Sequence, residues 1–231
     1  DTYPSSEKLY DWELGYQYTA PRLSLGVNLY YMKYKDQLVP TGMVNDDSNA
    51  LNTNVPDSYR RGVELSASWR ATGWFTVGAN ATFSQNRIEN YVDALKDSPT
   101  YGKELSDMTI AYSPDVIANA FLNFHHRGFE AVFHTQHVGK QYFTNNENDA
   151  LSLDAYCVTN LNLAYTFCTR SARSVRLGLL INNLFNAEYE SNGYGYSYMD
   201  TWSGPAPVRI DEAYYFPQAP LNVLANVTVK F

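Results

Sequence analysis

The chain has 231 residues, a formal net charge of -7 and an aromatic content of 15%, with 20 tyrosines. This length fits one large domain or two small ones. The negative charge is spread along the chain and gives no basic footprint for nucleic acid. No window approaches about 18 consecutive apolar residues, so the sequence excludes a helical membrane span.

Nine segments alternate apolar and polar residues with the period of two that is typical of β-strands. In chain order they cover 9–19, 22–38, 59–71, 74–89, 116–126, 129–142, 155–167, 175–185 and 221–231. A soluble β-sandwich shows the same alternation, so the pattern alone does not separate a sandwich from a membrane barrel. Several segments are longer than the roughly five or six residues usual in soluble strands. The last one is long enough to cross a hydrocarbon layer of roughly 25 Å at a tilt of ~45°.

The connections alternate between short and long. The short ones are 19–21, 72–73, 127–128 and 168–174, and the long ones are 39–58, 90–115, 143–154 and 186–218. Short turns on one side and long loops on the other are typical of an outer-membrane barrel, with its periplasmic turns and extracellular loops. We therefore expect structureless loops at the exterior and a last strand that runs down to the periplasm. Because single-chain barrels have even strand counts, nine strands predict that further strands precede residue 1.

Residues 181–189 read INNLFNAEY and resemble the penultimate-strand motif of TonB-dependent outer-membrane receptors. The motif positions are Asn183, Leu184, Phe185 and Tyr189. The resemblance extends to an aromatic strand end at 30–38, which reads YYMKYKDQL.

Two further features support the same resemblance. Arg61, Gly62 and Glu64 lie in RGVEL, which is similar to a mid-barrel segment of the family. The terminal Phe231 matches the aromatic end that outer-membrane barrels present to their assembly machinery.

The resemblance implies an all-β, antiparallel transmembrane β-barrel portion, a meander of about nine strands at the end of a 22-stranded barrel of the plugged class. Residues 1–231 would be the C-terminal part of such a receptor, without its plug and earlier strands. The implied function is active transport across the outer membrane of a Gram-negative bacterium. External loops would bind a scarce nutrient such as an iron–siderophore, haem, cobalamin or a glycan, and TonB would supply the energy.

The implied partners are the missing plug and strands, TonB through that plug, the barrel-assembly machinery, the lipid bilayer and a small nutrient ligand. Neither a cofactor nor an enzymatic activity is expected, because no nucleophile–base motif occurs. Two alternatives stay open: a passive or structural barrel, such as a porin or adhesin without a gated plug, and a soluble sandwich that binds a ligand.

The long connection 186–218 is the candidate ligand site, because aromatic loops offer a large contact area at low side-chain entropy. Tyr194, Tyr196 and Trp202 lie in the middle of this connection and are the predicted substrate-binding residues. The alternative is an interfacial aromatic girdle, which we favour for Tyr214, Tyr215 and Phe216 just before the last strand.

Other residues give weaker indications. His134 and His137 have opposite strand parity, which argues against a shared metal or haem site. Cys157 and Cys168 are too far apart on one extended run for a disulfide. The run 145–149 would offer side-chain oxygens to Ca²⁺ but lacks the spacing of a calcium loop. No metal site is therefore predicted.

Overall fold

The computed structural model describes residues 4–44, 50–93 and 100–231. Fourteen β-strands and one 3-10 helix lie in these ranges. The strands are β1 (Lys8–Thr19), β2 (Leu23–Val44), β3 (Ala50–Arg70), β4 (Phe75–Val92), β5 (Glu104–Thr109), β6 (Val116–His126), β7 (Phe129–Val138), β8 (Gln141–Tyr142), β9 (Ser152–Leu153), β10 (Tyr156–Phe167), β11 (Ser174–Asn182), β12 (Glu190–Asp200), β13 (Val208–Pro217) and β14 (Asn222–Lys230), and the 3-10 helix covers Asp149–Leu151. Over the same three ranges, no helix is long and apolar enough to cross a membrane.

Nine of the strands form one antiparallel meander in the order β1-β2-β3-β4-β6-β7-β10-β11-β14. They correspond to the nine predicted segments, so the all-β, antiparallel fold class is confirmed. The sheet is open, with β1 at one edge and β14 at the other. Its tightest turn is formed by Arg127 and Gly128, whose φ angles of 47° and 82° are both left-handed. Two successive left-handed residues match the right-handed twist of the strands that they join.

Several strand ends differ from the prediction. β11 ends at Asn182 rather than at 185, because Asn183 and Asn186 have left-handed φ angles of 50° and 51° that a strand cannot contain. β7 ends at Val138, and Gln141–Tyr142 form the separate strand β8, which pairs with β9. β2 and β3 extend beyond their predicted ends into the connection 39–58.

The two faces of the meander differ in chemistry, as alternation along paired strands requires. One face is apolar and widely exposed: Leu14 is 72% exposed and pairs with Leu29, and Val227 is 65% exposed and pairs with Leu177. The other face is polar; on it, for example, Glu64 lies between Asn28 and Thr82 on the neighbouring strands. A soluble sandwich buries its apolar face against a second sheet. In the described part of the chain, the only other sheets are two-stranded.

The largest apolar core lies at the end of the sheet that carries the long connections. Val39, Val55, Ile88, Tyr91 and Ile110 are each at most 3% exposed and pack into one cluster. They come from β2, β3, β4 and the segment after β5.

A second cluster at the same end contains Phe143, Leu151 and Leu153, with Ala213 of β13 packed against it. The expectation of structureless loops is therefore wrong. The connections contain β5, β8, β9, β12 and β13, and they bury side chains that alternation along the main strands does not reveal.

Candidate functional site

The connection from β11 to β14 begins with a turn around Asn183, which is buried. Its Nδ2 donates to the carbonyl oxygens of Ala187 at 2.8 Å and Ala219 at 3.2 Å, and its Oδ1 accepts from the Ala187 N–H at 2.8 Å. Asn186 adds a second tie, because its Oδ1 accepts from the Leu221 N–H at 2.9 Å. The start of the connection is thus bonded to its end, and the hairpin between them has a closed base.

That hairpin is formed by β12 and β13, which pair from Glu190 opposite Pro217 to Asp200 opposite Val208. Because successive residues of a strand point to opposite sides, the hairpin has two distinct faces. One face docks on the rest of the protein and the other is free of that contact.

The docking face is made close-fitting by two glycines. A Cβ on Gly193 would lie 2.7 Å from Phe143 Cζ, and a Cβ on Gly195 would lie 2.8 Å from Leu151 Cδ2. A Cβ atom essentially never lies within 3.0 Å of a non-bonded atom, so a larger residue at either position would force its neighbours to shift. The Tyr215 ring adds a contact with Phe143 at a centroid distance of 5.9 Å. The second core cluster therefore holds the hairpin in place.

The opposite face is aromatic, and we call it the tyrosine face. It consists of Tyr194, Tyr196 and Tyr198 from β12 and Glu212, Tyr214 and Phe216 from β13. The Tyr194 and Tyr214 rings stack at a centroid distance of 5.1 Å and an angle of 15°. Tyr196 stacks on Tyr214 at 6.2 Å, and Tyr194 also contacts Phe216 at 6.1 Å. Tyr194 and Tyr214 are 47% and 44% exposed, so the stack is open to solvent.

Glu212 connects the hydroxyl groups of this face. Its Oε2 accepts hydrogen bonds from the hydroxyls of Tyr196 and Tyr214, both at 2.8 Å, and its Oε1 accepts one from Tyr198 at 2.9 Å. These bonds hold the pKa of the Glu212 carboxyl below its ordinary value, so the group is ionised at neutral pH. The bonds to Glu212 also raise the pKa of the Tyr196 and Tyr198 hydroxyls. Both phenols therefore keep their protons.

Trp202, the third predicted binding residue, lies apart from this face. It is in the turn beyond the last paired residues, Asp200 and Val208, and its side chain is 94% exposed. Its backbone N–H donates to Asp200 Oδ1 at 2.8 Å, which fixes the turn and leaves the indole projecting from the tip. Its contact with a ligand stays a prediction.

The connections beneath the hairpin are joined through the buried Asn145, which is 0% exposed. Its Oδ1 accepts from the Ala111 N–H at 2.8 Å, and its Nδ2 donates to the Pro40 carbonyl oxygen at 2.6 Å. One side chain thereby links three separate connections. The support for the hairpin is a bonded block.

The rest of the run 145–149 is also occupied by protein contacts. Glu147 forms an ion pair with Arg87 at 2.6 Å and accepts from the Thr109 N–H at 3.0 Å. Asp149 forms an ion pair with Lys140 at 2.5 Å. Across residues 4–44, 50–93 and 100–231, no three His, Cys, Asp or Glu side chains are grouped to hold a metal ion.

The strand register shows where the histidines and cysteines lie on the sheet. His134 pairs with Phe121, whereas His137 pairs with Ala118 and Cys157, which places the two histidines on opposite faces as their parity predicted. Cys157 and Cys168 are both free, exposed thiols.

The family model described as "TonB dependent receptor-like, beta-barrel" matches residues 3–184. The chain belongs to this family. The match confirms the resemblance found in the sequence motifs, and it includes Asn183 and Leu184.

Relatives in the receptor family agree with this assignment. The chain is 23% identical over 190 residues to the pesticin receptors of Yersinia enterocolitica and Yersinia pestis, which covers 82% of this chain and 26% of each relative. The ferric yersiniabactin uptake receptor FyuA from Yersinia pestis superposes with a TM-score of 0.66 at 19% identity, over 97% of this chain and 30% of that one. The copper transporter OprC gives 0.66 at 20% identity, over 97% and 31%. At these identities the solved structures show the fold. The chain spans about a quarter of the length of these curated relatives.

The other receptor-motif residues lie within the meander. Arg61 donates to Gln85 Oε1 at 2.9 Å and lies over the Tyr59 ring at 5.2 Å. A Cβ on Gly62 would lie 2.6 Å from the Tyr30 hydroxyl, so glycine makes room for that ring.

Two motif residues beyond the end of β11 make ring contacts with neighbouring strands, whereas the terminal residue has none among the described residues. Tyr189 stacks on Tyr156 at 4.7 Å, and Phe185 contacts Phe133 at 6.3 Å. The terminal Phe231 is 93% exposed, and its role in assembly stays a prediction.

Sequence reasoning missed Glu212 and separated Tyr214 and Phe216 from the candidate site. The structure pairs Tyr214 with Tyr194 and Glu212 with Tyr196. Alternation in 208–217 was the available signal, because Glu212, Tyr214 and Phe216 share one parity.

Proposed function

We propose that this chain is part of an outer-membrane receptor of a Gram-negative bacterium, which binds a scarce nutrient at its external connections and imports it with energy from TonB. The observation that carries the proposal is the nine-stranded, apolar-faced meander with turns at one end and folded connections at the other. Family membership supports it.

The dimensions of the strands suit a bilayer. β1, β6, β7, β10, β11 and β14 have 9 to 12 residues each. Tilted by roughly 45°, transmembrane strands need about 9 to 11 residues. In the proposed arrangement the apolar face meets lipid and the polar face lines the lumen of a larger barrel.

The connections then define the binding side. The two-residue turn at Arg127 and Gly128 faces the periplasm, and the hairpin β12–β13 with its tyrosine face is external. Open edges of a sheet are not tolerated in lipid, so β1 and β14 would each pair with further strands of the same receptor. TonB would act through a plug in that larger protein.

The names of related structures suggest which nutrients to test first. They include uptake receptors for ferric yersiniabactin and ferric citrate, a receptor for ferric preacinetobactin and a copper transporter. Ferric chelates are therefore the first class for this protein, ahead of haem, cobalamin and glycans.

A transport experiment in cells tests the proposal. We expect deletion of the complete gene to abolish uptake of one labelled ferric chelate, and restoration of the gene to recover it. A parallel strain without TonB should lose the same uptake, since the energy would come from TonB. Uptake that continues without TonB would contradict the proposal.

The second candidate is a passive or structural barrel without a gated plug. The family match covers barrel strands and is compatible with it. A plug of roughly 100–150 residues, one small domain, ahead of the barrel would favour transport. Conductance of the complete protein in a planar bilayer separates the two, because a plugged receptor should stay closed.

A further inference from the structure

Three of the four hydroxyl groups of the tyrosine face, all but that of Tyr194, donate their protons to Glu212. Tyr196, Tyr198 and Tyr214 each have one hydroxyl proton, and each donates it to Glu212. What remains at the hydroxyl oxygens is the capacity to accept. An ionised carboxylate also accepts and cannot donate, so this cluster presents acceptors only.

The aromatic ring faces also favour a positively charged group. The face of an aromatic ring carries negative electrostatic potential, which attracts a cation placed over it within about 6 Å. Tyr194 and Tyr214 cover part of each other's ring faces but stay close to half exposed, so ring surface remains available near the carboxylate. Among the described residues, no salt bridge neutralises Glu212.

The nearest basic group on this hairpin is committed elsewhere. Arg209 lies on the docking face, opposite to the tyrosine face, and its Nε lies 3.0 Å from Asp211 Oδ1. Its Nη2 donates to Ser197 Oγ at 3.1 Å, also on the docking face. The charge of Arg209 is therefore directed away from the tyrosine face.

We propose that the tyrosine face selects ligands that carry a positively charged organic group, such as a protonated or quaternary amine, and disfavours anionic ligands. The cation would lie over the tyrosine rings next to the Glu212 carboxylate, and an apolar part of the ligand would stack on Tyr194 and Phe216. This inference rests on the proposed function for its biological setting, although the charge preference is a property of the hairpin itself.

The test uses the complete receptor in detergent micelles and three small aryl probes of different charge. The probes are phenyltrimethylammonium, benzamide and benzenesulfonate, and their dissociation constants are measured by ligand-observed NMR titration. We expect the cation to bind about tenfold more tightly than the anion, because cation–π attraction and the carboxylate act together. The difference should shrink as salt is raised, since the site is exposed.

Two matched variants locate the effect. Glu212→Gln removes the charge while keeping size and an acceptor, and we expect it to bring the three probes to within about twofold of one another, because the weak ring attraction then remains alone. Glu188→Gln removes an exposed carboxylate from the same connection, outside the tyrosine face, and should leave the preference unchanged.

The dissociation constants of the three probes can be compared on the unaltered receptor, so the test does not depend on a variant that folds correctly. Equal binding of cation and anion there overturns the inference, as does a preference that survives Glu212→Gln. Uptake of a ferric chelate by a receptor without this charge preference would leave the proposed function standing. A cation preference in a protein that transports nothing would support the charge preference and contradict the proposed function.

Discussion

Asn145 offers the sharpest test of the claim that the long connections form one bonded block. Asn145→Ala removes the acceptor of the Ala111 N–H and the donor to the Pro40 carbonyl, at 2.8 Å and 2.6 Å. Ala111 is 7% exposed, so its N–H has little access to water. An unsatisfied buried polar group costs about 1–3 kcal/mol, which applies to the Ala111 N–H; the Pro40 carbonyl belongs to a half-buried residue and adds less.

This cost should appear as easier local opening. At 1.36 kcal/mol for each factor of ten, even about 2 kcal/mol speeds amide exchange roughly 30-fold. The assay is hydrogen–deuterium exchange of the complete receptor, read on peptides that contain Ala111. Asn90→Ala, at an exposed position in β4, is the matched control and should leave this exchange rate unchanged.

A second substitution separates the two bonds. Asn145→Asp keeps the acceptor for Ala111 but, when ionised, cannot donate to Pro40. Burial favours the protonated acid, which can donate again, so the variant should regain protection as pH falls. If exchange at Ala111 in Asn145→Ala stays within about twofold of the unaltered protein, the bonded-block interpretation is wrong.

Four further predictions concern the hairpin. Gly195→Val should release the docking face from Leu151, and limited proteolysis should then cut the hairpin faster; unchanged cleavage would argue against close packing. Asn183→Ala should destabilise the base by about 1–3 kcal/mol more than Asn183→Gly, because glycine adopts a φ of 50° without strain and alanine does not; equal thermal unfolding of the two variants would contradict this. The lowered pKa of Glu212 means that its bonds stabilise the hairpin above the ordinary carboxyl range and are lost as pH falls through the lowered value. The pKa of Tyr196 is raised, so the sign is opposite: its bond to Glu212 is present below the ordinary tyrosine range and is lost as pH rises through the raised value. Glu212→Gln removes the carboxylate that raises this pKa. The tyrosinate absorbance of the variant should therefore appear at lower pH than in the unaltered protein.

The meander was predictable because one face of each strand is apolar and the other is polar, so the two residue types alternate along the sequence. Leu23–Val44 and Ala50–Arg70 alternate over most of their length, and the turn at Arg127 and Gly128 has a local sequence signal. Such patterns depend only on neighbours in the chain. The fold class and the family motif therefore followed from the sequence.

The long connections were not predictable in the same way. Gly193 and Gly195 suggest a flexible loop when read alone, yet they are required by Phe143 and Leu151, which are distant in the chain. Likewise, nothing local marks Asn145 as buried, since it lies in a polar run. These features come from contacts between connections, which strand periodicity does not encode.

The candidate site was found only in part for a related reason. Tyr194 and Tyr196 stood out as aromatic residues in a long connection, whereas Glu212 had no distinguishing context. Only the register of β12 with β13 shows that Tyr196 and Glu212 are opposite each other.

The closed base at Asn183 has an evolutionary consequence. Because Asn183 bonds both Ala187 and Ala219, and Asn186 bonds Leu221, the two ends of the insertion meet independently of what lies between them. The segment 188–218 can therefore be exchanged as a cassette, as loops with adjacent ends generally can. A relative can carry a different hairpin here, provided that it packs on Phe143 and Leu151, while the pairing of β11 with β14 is unaffected.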